Sequence, residues 1–244
     1  METATSSLAD GRKNVIITGA SRGLGYAIAE IFAEHGNNLL LTSLNEIRLS
    51  HAVRELQTKF PVVMIKAKPF DLGKKEQAKA FGKWCLENGS PDVLVNNAGS
   101  FTGSSLHKEE DGALEEMIET NLYSAYHLTR AIVPAMIEKK SGHIFNMSSI
   151  AGLNAYHNGG SYSISKFAIR GFSINLRDEL KLYNIKVTTV FPGAAYTDSW
   201  AASGLERKRF MEASDIATMV YAASQLSPQA CVEEIILRPQ LGDI

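Results

Sequence analysis

Lys13-Asn14-Val15-Ile16-Ile17-Thr18-Gly19-Ala20-Ser21-Arg22-Gly23-Leu24-Gly25 begins as a short apolar run, ends in glycines, and passes at once into a helical pattern from Leu24 to His35. A run that is apolar at consecutive positions suits a strand covered on both faces. The helical stretch stops before Gly36, which reads as the glycine that closes a helix. Glycines at 19, 23 and 25 permit a tight turn, a close backbone approach, and close packing of helix on strand. The helix N-terminus adds backbone N–H donors and a positive dipole end, which together suit a pyrophosphate. Glycine-rich loops are common in plain turns, so the weight falls on the context, a strand before and a helix after.

The same alternation continues outward from this stretch. Further strands are predicted at Asn38 to Ser43, Val62 to Ala67, Asp92 to Asn96, His143 to Met147, Ile185 to Phe191 and Glu233 to Leu237, after the first at Lys13 to Thr18. Helices are predicted at Glu46 to Lys59, Lys74 to Asn88, Glu110 to Lys140, Ser161 to Tyr183 and Ser214 to Gln225. Repeated strand–helix–strand units imply right-handed crossovers and an open parallel sheet. The fold expected is α/β, a single-domain doubly wound, Rossmann-type parallel sheet of about seven strands with helices on both faces. Residues 1–12 read as a flexible N-terminal tail, residues 13–244 as one domain, and residues 194–212 as a lid over it. No linker or internal repeat divides the chain.

The 244 residues carry a formal net charge of −1, with 45% hydrophobic and 21% charged residues. That balance argues against a nucleic-acid or acidic-membrane partner and for a small-molecule one. Arg207-Lys208-Arg209 reads as a solvated face. Cys85 and Cys231 are the two cysteines, too few for a disulfide framework, and they fit a reducing cytoplasm. No signal peptide or membrane-length apolar run is visible. The six histidines show no metal-ligand spacing, and no metal is expected.

In a doubly wound sheet the ligand crevice lies beyond the carboxyl ends of the strands, so the residues that follow each strand matter most. After the first strand, Gly19, Ser21, Arg22, Gly23, Leu24 and Gly25 are candidate cofactor contacts. After the second comes Ser43, where a carboxylate would hold the ribose 2′-OH of NAD. A serine repels no 2′-phosphate, and Arg22 can reach one with its forked donors, although it can equally cover the loop in solvent. NADP(H) is therefore expected in preference to NAD. After the third strand, Asp71 and Leu72 either support an adenine ring or cap the next helix. After the fourth, Asn96-Asn97-Ala98-Gly99 lets the chain pass close to a flat ligand, and its amides can tie strand ends together. Asn97 reads as either a cofactor contact or a wholly structural residue.

Tyr162 and Lys166 stand four residues apart, on one face of a helix. A phenol with a pKa near 10 is a sluggish acid–base group at neutral pH. An ammonium ~4 Å away, at an effective dielectric of about 20, attracts the phenolate by roughly 4 kcal/mol. The shift expected is on the order of three pKa units at most. The fifth strand ends in Asn146-Met147-Ser148-Ser149, thirteen residues before Tyr162. Ser149 is the first candidate, and Ser148 the second, for a hydroxyl beside the phenol. Asn121, within the long helix after strand four, can bend that helix and hold a water linked to Lys166.

These stretches, with Pro192-Gly193 and Thr197, resemble the short-chain dehydrogenase/reductase superfamily in identity, order and spacing over almost the whole chain. The resemblance implies a catalytic tetrad of Asn121, Ser149, Tyr162 and Lys166, with Ser149 orienting a carbonyl. It implies that Lys166 also holds the nicotinamide ribose, and that Thr197 and the backbone after Pro192 and Gly193 hold the carboxamide. It further implies a homodimer or homotetramer, in keeping with the apolar surface of the two long helices. The tail from Val232 to Pro239 is similar to that of bacterial sepiapterin reductases and their uncharacterised relatives.

The expected activity is hydride transfer between NADP(H) and a carbonyl or alcohol. A pterin side-chain ketone, a 3-oxoacyl thioester and a general ketone all stay open as substrates. Tyr156, His157 and Trp200 are the candidate substrate walls, Trp200 either stacking on substrate or packing the lid. The other classes are an NADP-binding redox sensor without turnover, and a scaffold that uses only the fold.

Overall fold

The computed structural model describes residues 12–197 and 204–244. Nearly all of the expected N-terminal tail, and Trp200 in the lid, lie outside the described residues. Seven strands, β1 (Asn14–Thr18), β2 (Asn38–Thr42), β3 (Ile65–Ala67), β4 (Val93–Asn96), β5 (Gly142–Met147), β6 (Ile185–Pro192) and β7 (Glu234–Leu237), form one sheet. Their order is β3-β2-β1-β4-β5-β6-β7, and every pairing is parallel. The helices are α1 (Gly23–Glu34), α2 (Glu46–Lys59), α3 (Lys75–Asn88), α4 (Ala113–Ile118), α5 (Ser124–Lys139), α6 (Gly160–Leu180) and α7 (Ala213–Ser224). The expected doubly wound fold is what forms.

Side chains alternate across each strand, and both faces are apolar. Val15 and Ile17 of β1, Leu39 and Leu41 of β2, and Val93 and Val95 of β4 pack with Phe32 of α1, Leu56 of α2 and Val220 of α7. The intervening Ile16, Leu40 and Leu94 turn the other way, to Phe81 of α3, Ile132 of α5 and Leu180 of α6. That double coverage is why the strands read as unbroken apolar runs.

Two sequence-based boundaries shift. The third strand is only Ile65–Ala67, because Pro61 and Val62 lie in a turn after α2. The long helix after β4 starts at Ala113, following Gly112 at φ +94, and is interrupted by a π-turn over Glu119–Tyr123. Asn121 sits in that π-turn, so the helix carries an irregularity where the sequence suggested a bend.

The sheet order reverses at β1, which pairs with β2 on one side and β4 on the other. A crevice opens there, and the segments after β1, β4, β5 and β6 converge on it.

Candidate active site

A cavity of about 330 Å³ opens at these strand ends. Its first wall is the β1–α1 turn, with Gly19, Arg22, Gly23 and Leu24. Gly19 and Gly23 adopt φ +64 and +57, values at which a side chain is strained. A Cβ on Gly25 would stand 2.3 Å from the Gly19 carbonyl oxygen, so the first turn of α1 rests directly on the turn before it. No side chain caps α1, and its first turn carries no acid. The exposed donors and positive helix end thus meet no protein anion of that turn, and a phosphate fits there.

Asn97 holds this turn in place. Its Nδ2 donates to the carbonyls of Thr18 (2.9 Å) and Gly19 (3.3 Å), while Thr18 Oγ1 accepts from the backbone N–H of Asn97 and Ala98. Asn96 Nδ2 donates to Asn146 Oδ1 at 2.8 Å, tying β4 to β5 as the sequence suggested. Asn97 and Gly99 also line the cavity. Ser21 and Ser43 meet hydroxyl to hydroxyl at 2.8 Å, placing the end of β2 beside the glycine turn. Asp71 Oδ1 accepts from Gly73 N at 3.1 Å, a local turn ahead of α3, and Leu72 is buried against Leu40 and Phe81. Ser21, Gly25, Ser43, Asp71, Leu72 and Ala98 stand outside the cavity lining.

The opposite wall carries the hydroxyls. Ser149, Tyr162 and Lys166 all face the cavity, Ser149 from the end of β5 and the others from α6. Ser149 hydrogen-bonds the Tyr162 phenol. Ser148 instead braces the helix, donating to the Lys166 carbonyl at 2.9 Å. Lys166 Nζ donates to the Met147 carbonyl at 3.0 Å and lies 5.6 Å from the Tyr162 ring centre.

The charge states differ from those expected. Burial pushes the Tyr162 phenol above its ordinary value, and the Ser149 hydrogen bond only partly opposes this. Lys166 is itself desolvated, and burial lowers it to about 8. Burial dominates for both groups, and the ammonium is directed at the Met147 carbonyl. Tyr162 therefore keeps its proton at neutral pH.

Asn121 is buried behind this pair. Its Oδ1 accepts from Ser100 N at 2.8 Å, and its Nδ2 donates to Ser100 O and Ser165 Oγ. The amide thereby ties the β4 end to the middle of the first two turns of α6. Gly99 lies between Asn121 and Lys166, where a Cβ would stand 2.9 Å from Asn121 Oδ1 and 3.5 Å from Lys166 Nζ.

Pro192, Gly193 and Thr197 reach the cavity from the end of β6, with Thr197 lying over Gly23. The two ends of the segment expected as a lid are joined by Tyr196 N donating to Met211 O and Met211 N to Ala194 O. Of the basic triplet Arg207 and Lys208 are exposed and Arg209 is partly buried; Arg207 pairs with Glu212, and Arg209 donates to the carbonyls of Leu241 and Asp243. Tyr156 lines the cavity; His157 is exposed and outside it. Sequence reasoning missed Phe101, whose ring meets Tyr162 edge-on at 4.8 Å between centres. It follows Gly99 by two residues, so the rule that strand-end segments line the crevice was the available signal.

Residues 13–208 match the description of the short chain dehydrogenase family. This chain belongs to that family. Among curated relatives it is 37% identical over 193 residues to a 3-oxoacyl-[acyl-carrier-protein] reductase of Chlamydia muridarum, covering 76% of this chain and 75% of the relative. A metagenomic short-chain oxidoreductase solved in complex with NADP superposes with a TM-score of 0.81 at 32% identity, covering 93% of this chain and 97% of that one. An alcohol dehydrogenase from the archaeon Thermococcus sibiricus, complexed with 5-hydroxy-NADP, gives 0.86 at 28% identity, covering 94% and 97%. No described helix is long and apolar enough to cross a membrane, and no described group of acidic, histidine or cysteine side chains is arranged to hold a metal ion.

Proposed function

We propose that this chain is an NADP(H)-dependent oxidoreductase that interconverts a ketone and a secondary alcohol, with reduction as the favoured direction. The observation that carries the reading is the meeting of Ser149, Tyr162 and Lys166 in one cavity whose other end is an uncapped, glycine-lined helix N-terminus. The NADP bound to two similar structures supports the choice of cofactor. Gly19, Ser21, Arg22, Gly23, Leu24 and Gly25 would hold the phosphates, with Ser43 and Arg22 at the 2′-phosphate and Asp71 and Leu72 toward the adenine. Asn97, Ala98 and Gly99 would line the passage to the nicotinamide half, where Lys166, Pro192, Gly193 and Thr197 would hold ribose and carboxamide. When bound, a dihydronicotinamide supplies the hydride.

Ser149 and Tyr162 hydrogen-bond the substrate oxygen from the same side. As negative charge grows on that oxygen, Tyr162 gives up its proton, and the Ser149 hydroxyl steadies the oxyanion. A phenol that stays protonated at neutral pH is in the donor form that the reduction step uses. Lys166 stabilises the phenolate left behind. Asn121 completes the tetrad by fixing Ser100 and Ser165 around the lysine and holding the water through which the proton is replaced.

On the substrate side, Phe101, Ile150 and Tyr156 offer apolar walls, which suit a ketone with a compact apolar substituent. The 3-oxoacyl reductase relative favours a 3-oxo compound. The tail from Val232 to Pro239 favours a sepiapterin reductase-like branch. Exposed Tyr123, Tyr126, Ile164, Phe167 and Ile174 on and beside α5 and α6 support a homodimer or homotetramer, which light scattering on the purified protein tests.

The decisive experiment follows NADPH oxidation against a panel containing a 3-oxoacyl thioester, a pterin ketone and simple ketones, for the wild type and Tyr162→Phe. Wild-type turnover on at least one ketone is expected, with kcat falling by about 10²–10⁴-fold in the variant and NADPH affinity preserved. Near-normal turnover in Tyr162→Phe would remove the phenol from the mechanism. Tight NADPH binding without turnover on any member would favour the redox-sensor reading.

A further inference from the structure

We infer that Glu109 is a positioning residue for Tyr162, an assignment that rests on the reading of Tyr162 as the proton donor. Glu109 belongs to the segment between β4 and α4, far in sequence from α6. Its Oε1 accepts from the backbone N–H of Ser161 at 2.8 Å, and its Oε2 accepts from the Ser161 hydroxyl. Both bonds fall on the residue immediately before Tyr162. They satisfy a donor at the open start of a 21-residue helix, where a carboxylate is also favoured by the helix dipole. The hydrogen bonds from Ser161 hold Glu109 below the usual carboxylate range, so the clamp stays ionised through neutral pH.

The surrounding backbone is shaped around this carboxylate. Gly160 adopts φ +40, and a Cβ there would stand 1.9 Å from Glu109 Oε1 and 2.6 Å from the Ser104 carbonyl. Ser105 Oγ donates to Asn158 Oδ1 at 2.8 Å, a second tie between the same two segments. The fastened loop carries Phe101, which rests edge-on against the Tyr162 ring.

On the other side of Tyr162, Ser163 Oγ donates to the Ala151 carbonyl at 2.6 Å, on the segment that carries Ser149. Tyr162 thus lies between two anchored serines, one fastened to the loop after β4 and one to the loop after β5. The second tether keeps the phenol near Ser149. The first, through Glu109, sets the tilt of the ring against Phe101 and hence the reach of the hydroxyl. Lys166 sits one turn further on, held by Met147 and independent of Glu109.

The test crosses Glu109→Ala and Glu109→Gln with Tyr162→Phe, measuring kcat, KM and NADPH affinity by fluorescence titration. In the wild-type background Glu109→Ala is expected to lower kcat on the order of 10–100-fold, the scale of a small misplacement of a reacting group. NADPH affinity should stay within about twofold, and Glu109→Gln, which keeps one carbonyl acceptor, should lose less. In the Tyr162→Phe background the same change should lower the residual rate by no more than about twofold, because the group being positioned is already gone. Equal losses in both backgrounds, unchanged kcat, or NADPH affinity falling in step with kcat would each overturn the assignment. Should the alanine variant not fold, the glutamine variant carries the same comparison. Failure of the acid reading looks different: Tyr162→Phe alone would then retain its rate.

Discussion

At the β1 end of the cavity the surface is largely backbone: glycines at 19 and 23 with positive φ, an uncapped helix start, and an asparagine amide that props the turn. At the β5–α6 end the surface is side chain: two hydroxyls and an ammonium, each held by a neighbour. The difference follows from what each end is suited to meet. A phosphate needs several donors converging at close range, which backbone supplies only where no Cβ intervenes. A proton transfer needs a titratable group, which backbone cannot supply. Damage at the first end should therefore appear in binding, and damage at the second in turnover.

The sharpest way to break that division is Gly25→Ala. The added methyl, fixed in place by its own backbone, would stand 2.3 Å from the Gly19 carbonyl oxygen, which is itself backbone. Relief requires moving α1 away from the turn, at about 1–3 kcal/mol. If that strain falls on the binding-competent loop, NADPH affinity drops roughly 10–100-fold. Fluorescence titration should show this, with kcat at saturating NADPH changed far less. A Gly25→Ala protein with native affinity would mean that close packing at this position does not shape the phosphate cradle.

The legibility of the sequence divides along the same line. The glycine spacing, the unbroken apolar strands and the pair Tyr162 and Lys166 each encode a local requirement, and local requirements are visible in a single chain. The segments that border the crevice follow from the rule that ligands meet a doubly wound sheet beyond the carboxyl ends of its strands, whereas the strand order with its switch between β1 and β4 shows only in the folded sheet. What could not be read was set by tertiary contact. The direction of the Tyr162 shift depends first on how deeply the fold buries the phenol, which no local spacing reveals. Phe101 and Glu109 reach α6 across more than 50 residues of chain. The sequence ranked Ser149 ahead of Ser148, but the bracing of α6 by Ser148 shows only in the fold.

The chemical end can be probed through pH. Lys166 is lowered from 10.5 to about 8 by burial, so it carries its charge below about pH 8 and loses it above. If the ammonium stabilises the phenolate left by proton transfer, kcat should fall as pH rises through about 8, by up to about tenfold per unit. Stability should move the opposite way. Between about 8 and 10.5 the unfolded chain still binds this proton while the folded one has released it, so this group's contribution to folding rises with pH across that window. Lys166→Met should remove both trends, leaving a low rate without the alkaline limb and a smaller rise in thermal midpoint. An alkaline limb that survives in Lys166→Met belongs to another group.

The smallest effect expected lies at the rim of the backbone-built end, where side chains return to decide which dinucleotide is accepted. Ser43 follows β2 and meets the hydroxyl of Ser21, in the turn that carries Arg22, at 2.8 Å. Ser43→Asp sets a carboxylate there, which repels a 2′-phosphate and can accept from a 2′-hydroxyl. The site is partly open to solvent, so screening limits the repulsion to about 1.4 kcal/mol, near tenfold in affinity. The NADPH/NADH affinity ratio should therefore fall by about tenfold or somewhat more, with the rate at saturation unchanged, because the change lies away from the phenol. A ratio that stays fixed would place the 2′ position away from Ser43. The selectivity would then rest on Arg22, and Arg22→Ala, measured with the same two cofactors, would move it instead.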